Sequence, residues 1–278
     1  MVASFSAEVL KLRKRPATWV LGLIFAMVVI LFGYLFTYLF TVNAPEENAP
    51  PPEIVEGFRQ YLLPEGFVVN ALINFASFGS ALTLILGALA MGSEYGWETF
   101  KVVLTQRPGR LGFFLGKLLA IGGLLLVLTV AILGVGALAS YAIAGLEQAS
   151  VEWPSFADLV RGIGAGWLIL VTFTALGIFL STLLRSTALA IGLGLVYLLV
   201  LENLFLGLAT QNETVQAISE TLPVKNTLDL AESFGAVPQG FAAPGEAVEP
   251  TQAVLVLGAY AAVFVLLSVL LFKRRDLA

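Results

Sequence analysis

Six stretches of this chain are so long and so poor in charge that they dictate where the rest can go: residues 17–42, 67–92, 111–144, 162–184, 187–209 and 252–272. About 20 apolar residues carry a helix across a bilayer's hydrocarbon core, and each stretch meets that length. The charges between them sort by side. With the N-terminus placed in the cytoplasm, Lys11, Arg13, Lys14, Arg15, Lys101, Arg107, Arg110, Lys117, Arg185, Lys273, Arg274 and Arg275 fall inside, which is twelve of the fifteen Lys and Arg. Arg59, Arg161 and Lys225 fall outside, and Glu46, Glu47, Glu53, Glu56 and Glu65 crowd the first outer loop. Basic residues retained on the cytoplasmic side orient membrane helices. The expectation is an all-α polytopic membrane protein with six spanning helices, a single domain over 1–278, and both ends inside a cell inner or plasma membrane.

Composition narrows the function classes. Charged residues make up 12% of the chain and the mean hydropathy is +0.92, whereas a soluble domain carries about 25% charged residues. The net charge of −4 gives no reason to expect nucleic acid, because the basic residues gather at one membrane face. Cys and His are both absent. That removes thiolate chemistry, the commonest metal ligand and the commonest general base. An intramembrane protease would need such a group or paired aspartates, and Asp158, Asp229 and Asp276 all lie outside the apolar stretches. The chain is expected to be no enzyme, with no metal and no cofactor of its own. Residues 17–42 run 26 positions without a charge, well beyond the roughly 7–15 of a secretory signal, so the first stretch is expected to stay as a helix.

The connectors divide into three kinds. Residues 1–15 place Phe5, Val9 and Leu12 at helical spacing among Glu8, Lys11, Arg13, Lys14 and Arg15, the pattern of an amphipathic helix in the headgroup plane. Pro16 then suits the first turn of the next helix. Residues 43–66 are acidic and proline-rich, a spacer with a short surface helix at 53–63. The turn at 183–187 is tight enough to make its two flanking helices an antiparallel hairpin. Residues 210–251 are too polar to cross and read as short helices, or a re-entrant piece, sealing the outer mouth. The 111–144 stretch exceeds one crossing and must tilt or project.

No string here binds a nucleotide. The nearest to a phosphate loop, Gly112-Phe-Phe-Leu-Gly116-Lys117-Leu118, is one spacer short and puts Leu118 where the metal-binding hydroxyl belongs. Gly112 and Gly116 instead suit a close helix contact, with Lys117 snorkelling to the interface. Ser93–Lys117 places Trp97, Phe100, Val103 and Leu104 on one helical face and Glu94, Glu98 and Lys101 on another, then stops at Pro108-Gly109. An amphipathic helix along the inner surface is what a membrane subunit offers a soluble partner. Within the spans Glu202 is the conspicuous charge. It is costly in hydrocarbon and, with Asn203 beside it, is read first as a cap on a helix break or re-entrant turn, and second as a site for a cationic cargo. Asn70 and Asn74, four apart, are read as interhelical hydrogen-bonding groups.

The 93–117 string resembles the ABC-2 type permease pattern, in which the second helix runs into E-x-x-x-x-T, a leucine-rich stretch, P-x-R and a G-K opening the third helix. Glu94, Thr99, Leu104, Pro108-Gly109-Arg110 and Gly116-Lys117 occupy those places. EVLKLRKRPATWVL and the terminal FKRRDLA also look like that family's ends, nearer to antibiotic-resistance and lantibiotic-immunity exporters than to the nitrous-oxide-reductase maturation type. The resemblance implies a type V exporter-like fold with an N-terminal interfacial helix, 1–15, and a cytoplasmic coupling segment, 93–110. It implies a dimer with a second permease copy or homologue, and a separate ABC ATPase subunit holding ATP and Mg. Glu94, Thr99, Arg107 and Arg110 are then the expected coupling residues. The few polar residues in the spans favour a lipid-like, peptide or drug-like amphiphile as exported cargo. The alternative is a membrane anchor or assembly factor that docks an ATPase without transport.

Overall fold

A computed structural model describes residues 2–42, 51–96, 110–238 and 240–274. Among these residues the secondary structure is helical throughout, with no strand. Ten helices follow in order: α1 (Val2–Lys14), α2 (Pro16–Val42), α3 (Pro52–Leu62), α4 (Pro64–Glu94), α5 (Arg110–Glu147), α6 (Phe156–Leu184), α7 (Thr187–Ala209), α8 (Glu213–Ser219), α9 (Pro223–Glu232) and α10 (Pro250–Arg274). Six of them, α2, α4, α5, α6, α7 and α10, are long and apolar enough to cross a membrane. Six crossings return the chain to the side where it began, so one face of the bundle carries both ends (the terminal face) and the other carries α3, α8 and α9 (the far face).

Local chemistry explains where these helices begin and end. Prolines open α2, α3 and α9, where a missing N–H costs nothing. Ser155 and Ser186 cap α6 and α7 by accepting from Asp158 N–H and Leu189 N–H. The hairpin between α6 and α7 turns on Arg185, which takes the left-handed conformation at φ 52° and so ends α6 in a single residue. Helix α5 has 38 residues. At 1.5 Å per residue that is about 57 Å, nearly twice the hydrocarbon thickness, so it projects beyond a single crossing.

The bundle is layered. Helices α4 and α6 are the centre, with 67% and 61% of their most apolar windows buried, against 28%, 33%, 28% and 17% for α2, α5, α7 and α10. Glycine makes the central contact. A Cβ on Gly87 would strike the Thr174 carbonyl of α6, and a Cβ on Gly177 would strike the Leu84 carbonyl of α4. The two backbones therefore touch, as small residues allow in a solvent that offers no hydrophobic drive. Thr174 Oγ1 donates to Thr83 O at 3.2 Å across the same contact, and Thr172 Oγ1 to Leu257 O of α10 at 3.2 Å.

Three spanning helices change pitch midway, with π-helical turns at Val29–Leu35 in α2, Phe75–Gly79 in α4 and Tyr197–Leu201 in α7. Such a turn disturbs the regular backbone pairing, and an orphan carbonyl is costly in hydrocarbon. Side chains supply donors there. Thr37 Oγ1 donates to Phe32 O at 2.9 Å, Asn70 Nδ2 to Gly33 O at 3.0 Å, and Asn203 Nδ2 to Leu198 O at 3.0 Å.

Candidate functional site

The densest polar structure lies at the terminal face, where α1 crosses the start of α5 and the end of α4. Gly116 makes room for the crossing: a Cβ there would meet Ser4 Cβ at 2.8 Å and Phe5 N at 2.9 Å. Beneath it four charged side chains close on one another. Lys117 Nζ donates to Glu94 Oε1 at 2.6 Å, to Glu8 Oε2 at 2.9 Å and to Ala90 O at 3.2 Å, which uses all three of its protons. Lys11 Nζ donates to Glu94 Oε1 at 2.5 Å and to Glu8 Oε1 at 2.6 Å. Glu8, Glu94 and Lys117 are each at most 2% exposed, whereas the Lys11 side chain, at 29%, closes the cluster toward the surface.

Two ammonium and two carboxylate groups make the cluster neutral, which is what lets it be buried. Burial raises the Glu8 carboxyl, but Lys117 and Lys11 outweigh it and hold the group below the usual range. Burial likewise lowers Lys11, and the carboxylates of Glu94 and Glu8 more than reverse it. Glu94 Oε2 has no hydrogen-bond partner among the described residues. The cluster has no His, and each of its charged groups is engaged by an opposite charge. What it can do is mechanical: it fastens α1 to both ends of the connector between α4 and α5.

This placement revises two expectations. Lys117 does not snorkel; it is among the most buried side chains of the molecule, because two carboxylates offer more than the interface does. Glu94 does not open a surface helix. It lies near the end of the α-helical stretch Ser80–Gly96, facing inward. In α1, Leu12 packs inward with Glu8 beside it, while Phe5 and Val9 are exposed. Thr99 and Arg107 lie outside the described residues. Arg110 is the first residue of α5, and its side chain is not among those described.

A second polar site lies at the far face. Glu202, in α7, accepts the Val224 N–H at 2.7 Å through Oε2. Val224 follows Pro223 in the first turn of α9, so the carboxylate caps the free N–H end of that helix, where the helix dipole favours negative charge. Its other oxygen, Oε1, has no hydrogen-bond partner among the described residues. Helix α9 is held in turn by Lys225, whose Nζ donates to Asp229 Oδ1 at 2.7 Å and to Glu246 O at 2.8 Å, and by Asp229 Oδ2, which accepts from Val248 N–H at 3.2 Å. Burial pushes the Asp229 carboxyl up despite Lys225. Asn203 turns back on its own helix. Asn70 reaches across to α2, and Asn74 donates to the Asn70 carbonyl and side-chain oxygen at 2.9 and 3.0 Å.

Sequence reasoning brings Glu94 and Glu202 forward but misses Glu8, Lys11 and Lys117 as the companions of Glu94. The available signal was the Glu8/Lys11 pair at i, i+3 together with a lysine seven residues into α5. No metal-holding group of three or more acidic residues occurs among the described residues. A comparison with curated proteins returns no match. A family model described as "Protein of unknown function (DUF2705)" matches residues 60–278, from within α3 to the C-terminus. By that match, which takes in well over half its length, the chain belongs to the DUF2705 family.

Proposed function

We propose that this chain is the permease subunit of an ATP-binding cassette exporter, moving a lipid-like, peptide or drug-like amphiphile and driven by a separate ATPase subunit. The observation that carries the reading is the buried charge cluster. Glu94 precedes the 97–109 connector, Lys117 follows it, and Glu8 and Lys11 tie both to α1. A connector that receives a push from a soluble subunit transmits it only if its ends cannot yield separately. Fastened in this way, α4, α5 and α1 move as one body and tilt the spans between inward- and outward-accessible states. In this reading Glu94 is an anchor of the lever, and Thr99, Arg107 and Arg110 are the residues that meet the ATPase. The terminal face is the cytoplasmic one, ATP and Mg stay on the partner, and a second permease copy or homologue completes the path.

The test is reconstitution of the chain in vesicles with a candidate P-loop ATPase subunit from the same cell. Glu8→Gln combined with Lys117→Met removes one unlike-charge pair together, so neither charge is left buried alone. That variant should still bind the ATPase and permit basal hydrolysis, while cargo movement coupled to hydrolysis falls. A stable complex in which no cargo moves even with the wild-type chain would establish the anchor reading instead.

A further inference from the structure

A cavity of about 380 Å3 opens between α2 and α4 in the half of the bundle nearer the far face. Its walls are aromatic. Phe32, Phe36 and Phe40 descend along α2, each about half exposed, and Phe78 faces Phe32 with ring centres 5.3 Å apart. The far-face segments roof it: Phe58 of α3 lies 5.5 Å from Phe40, and Phe241 lies 6.0 Å from both Phe58 and Tyr61. Both walls are π-helical at this level. The π turns Val29–Leu35 and Phe75–Gly79 place Phe32, Gly33, Ser77 and Phe78 on the cavity. Turns of this kind inside α-helices occur frequently at functional sites, because they re-aim side chains at a cost that packing alone does not ask for.

Polar side chains on this lining are few: Thr37, Tyr61, Asn74 and Ser77, of which Thr37 already donates to Phe32 O. Asn74 donates both of its hydrogen bonds to Asn70, and no donor among the described residues meets its side-chain oxygen. Gly33 is what lets the pair sit there: a Cβ would meet Asn74 Nδ2 at 2.7 Å and Asn70 Oδ1 at 2.9 Å. A lone acceptor at the level of the hydrocarbon is unfavourable without a donor. An ion or a sugar would find too few polar partners among these walls, and an acyl chain would leave the acceptor unmet. We infer that the cavity is a binding site for a donor-bearing aromatic ring, a phenol- or indole-like group of a membrane-dissolved amphiphile. Its ring stacks among Phe32, Phe78 and Phe58, and its O–H or N–H donates to Asn74 Oδ1. The volume is at the small end for ligand pockets, which suits one or two fused rings.

Binding is measured on the purified chain alone in lipid nanodiscs, with empty nanodiscs subtracted to remove partitioning into lipid. Three probes separate the chemistries: 1-naphthol has ring and donor, 1-methoxynaphthalene has the ring only, and 1-octanol has the donor on an alkyl chain. The expected result is saturable 1-naphthol binding, roughly tenfold tighter than 1-methoxynaphthalene, the worth of one hydrogen bond. Octanol should show no saturable binding. Ser77 is exposed on the cavity wall, so Ser77→Trp should fill the space and abolish binding while Ser77→Ala leaves it intact. Asn74→Leu should bring 1-naphthol down to the level of 1-methoxynaphthalene. The assignment is overturned if 1-naphthol never saturates, if octanol saturates equally, or if Ser77→Trp binds as the wild type does. No ATPase is present in the assay, so either result leaves the permease proposal where it stood.

Discussion

Glu94 and Glu202 are both buried carboxylates, and they differ in what answers their charge. Two ammonium groups neutralise Glu94 in part, whereas Glu202 meets only neutral groups: the Val224 N–H at the positive end of α9, and the Tyr197 hydroxyl on its own helix. Removing Lys117 alone would leave Glu8 and Glu94 facing each other with only the half-open Lys11 between them. Lys117→Ala is therefore expected to lower stability by about 3–5 kcal/mol, the cost of stranding a buried charge, read as a fall in melting temperature in detergent. At Glu202 the two substitutions should diverge. Gln keeps an acceptor for Val224 N–H and should stay near wild type, while Ala leaves that N–H unmet and should cost about 1–3 kcal/mol. Equal losses from Gln and Ala would mean that the charge, not the hydrogen bond, holds α9 in place.

Single residues also fix how elements respond to pH and to volume. The Glu8 carboxyl is held below its ordinary 4.5, so its contribution to fastening α1 is complete above that value and fades as pH falls through the lower folded value. Lys11 is held above its ordinary 10.5, so its contribution is complete below that value and fades as pH rises through the higher folded value. Helix α1 should thus stay docked between those limits and loosen on either side. A spin label at Phe5, which is exposed, would report that loosening as increased mobility. The α4–α6 contact responds to volume instead. Gly177→Val would drive a side chain into the Leu84 carbonyl, and neither backbone has a flexible neighbour to move aside. Overpacking usually costs about 1–3 kcal/mol, and with backbone on both sides this variant should reach the upper end or fail to assemble, as judged by yield and thermal unfolding.

The whole molecule has a sidedness that the fold alone leaves open, since six crossings place both ends on one face without naming it. The expectation from the basic residues is that this face is the cytoplasmic one, and single cysteines in this Cys-free chain can check it. A cysteine replacing Glu152, in the exposed link between α5 and α6, should react with an impermeant reagent in intact cells. A cysteine replacing the exposed Arg185, in the turn between α6 and α7, should not. The opposite labelling would invert the bundle. Much of this level is legible in the primary structure, because hydrocarbon imposes two simple demands: about 20 apolar residues per crossing, and Lys and Arg kept to one side. The six spans, the short surface helix expected at 53–63 and found at 52–62, the overlong α5 and the tight turn at 183–187 all follow from those demands and from the placement of proline. Tertiary structure alone decided which spans are central, because periodicity is silent when every face of a helix is apolar. It alone decided that Lys117 is buried, since a lysine's environment depends on carboxylates 23 and 109 residues away. The π turns that aim Phe32 and Phe78 into one cavity were equally invisible, because a one-residue change of pitch leaves no mark on composition. Apolar length is a local property and can be read along the chain, whereas the partner of a buried charge is chosen by packing.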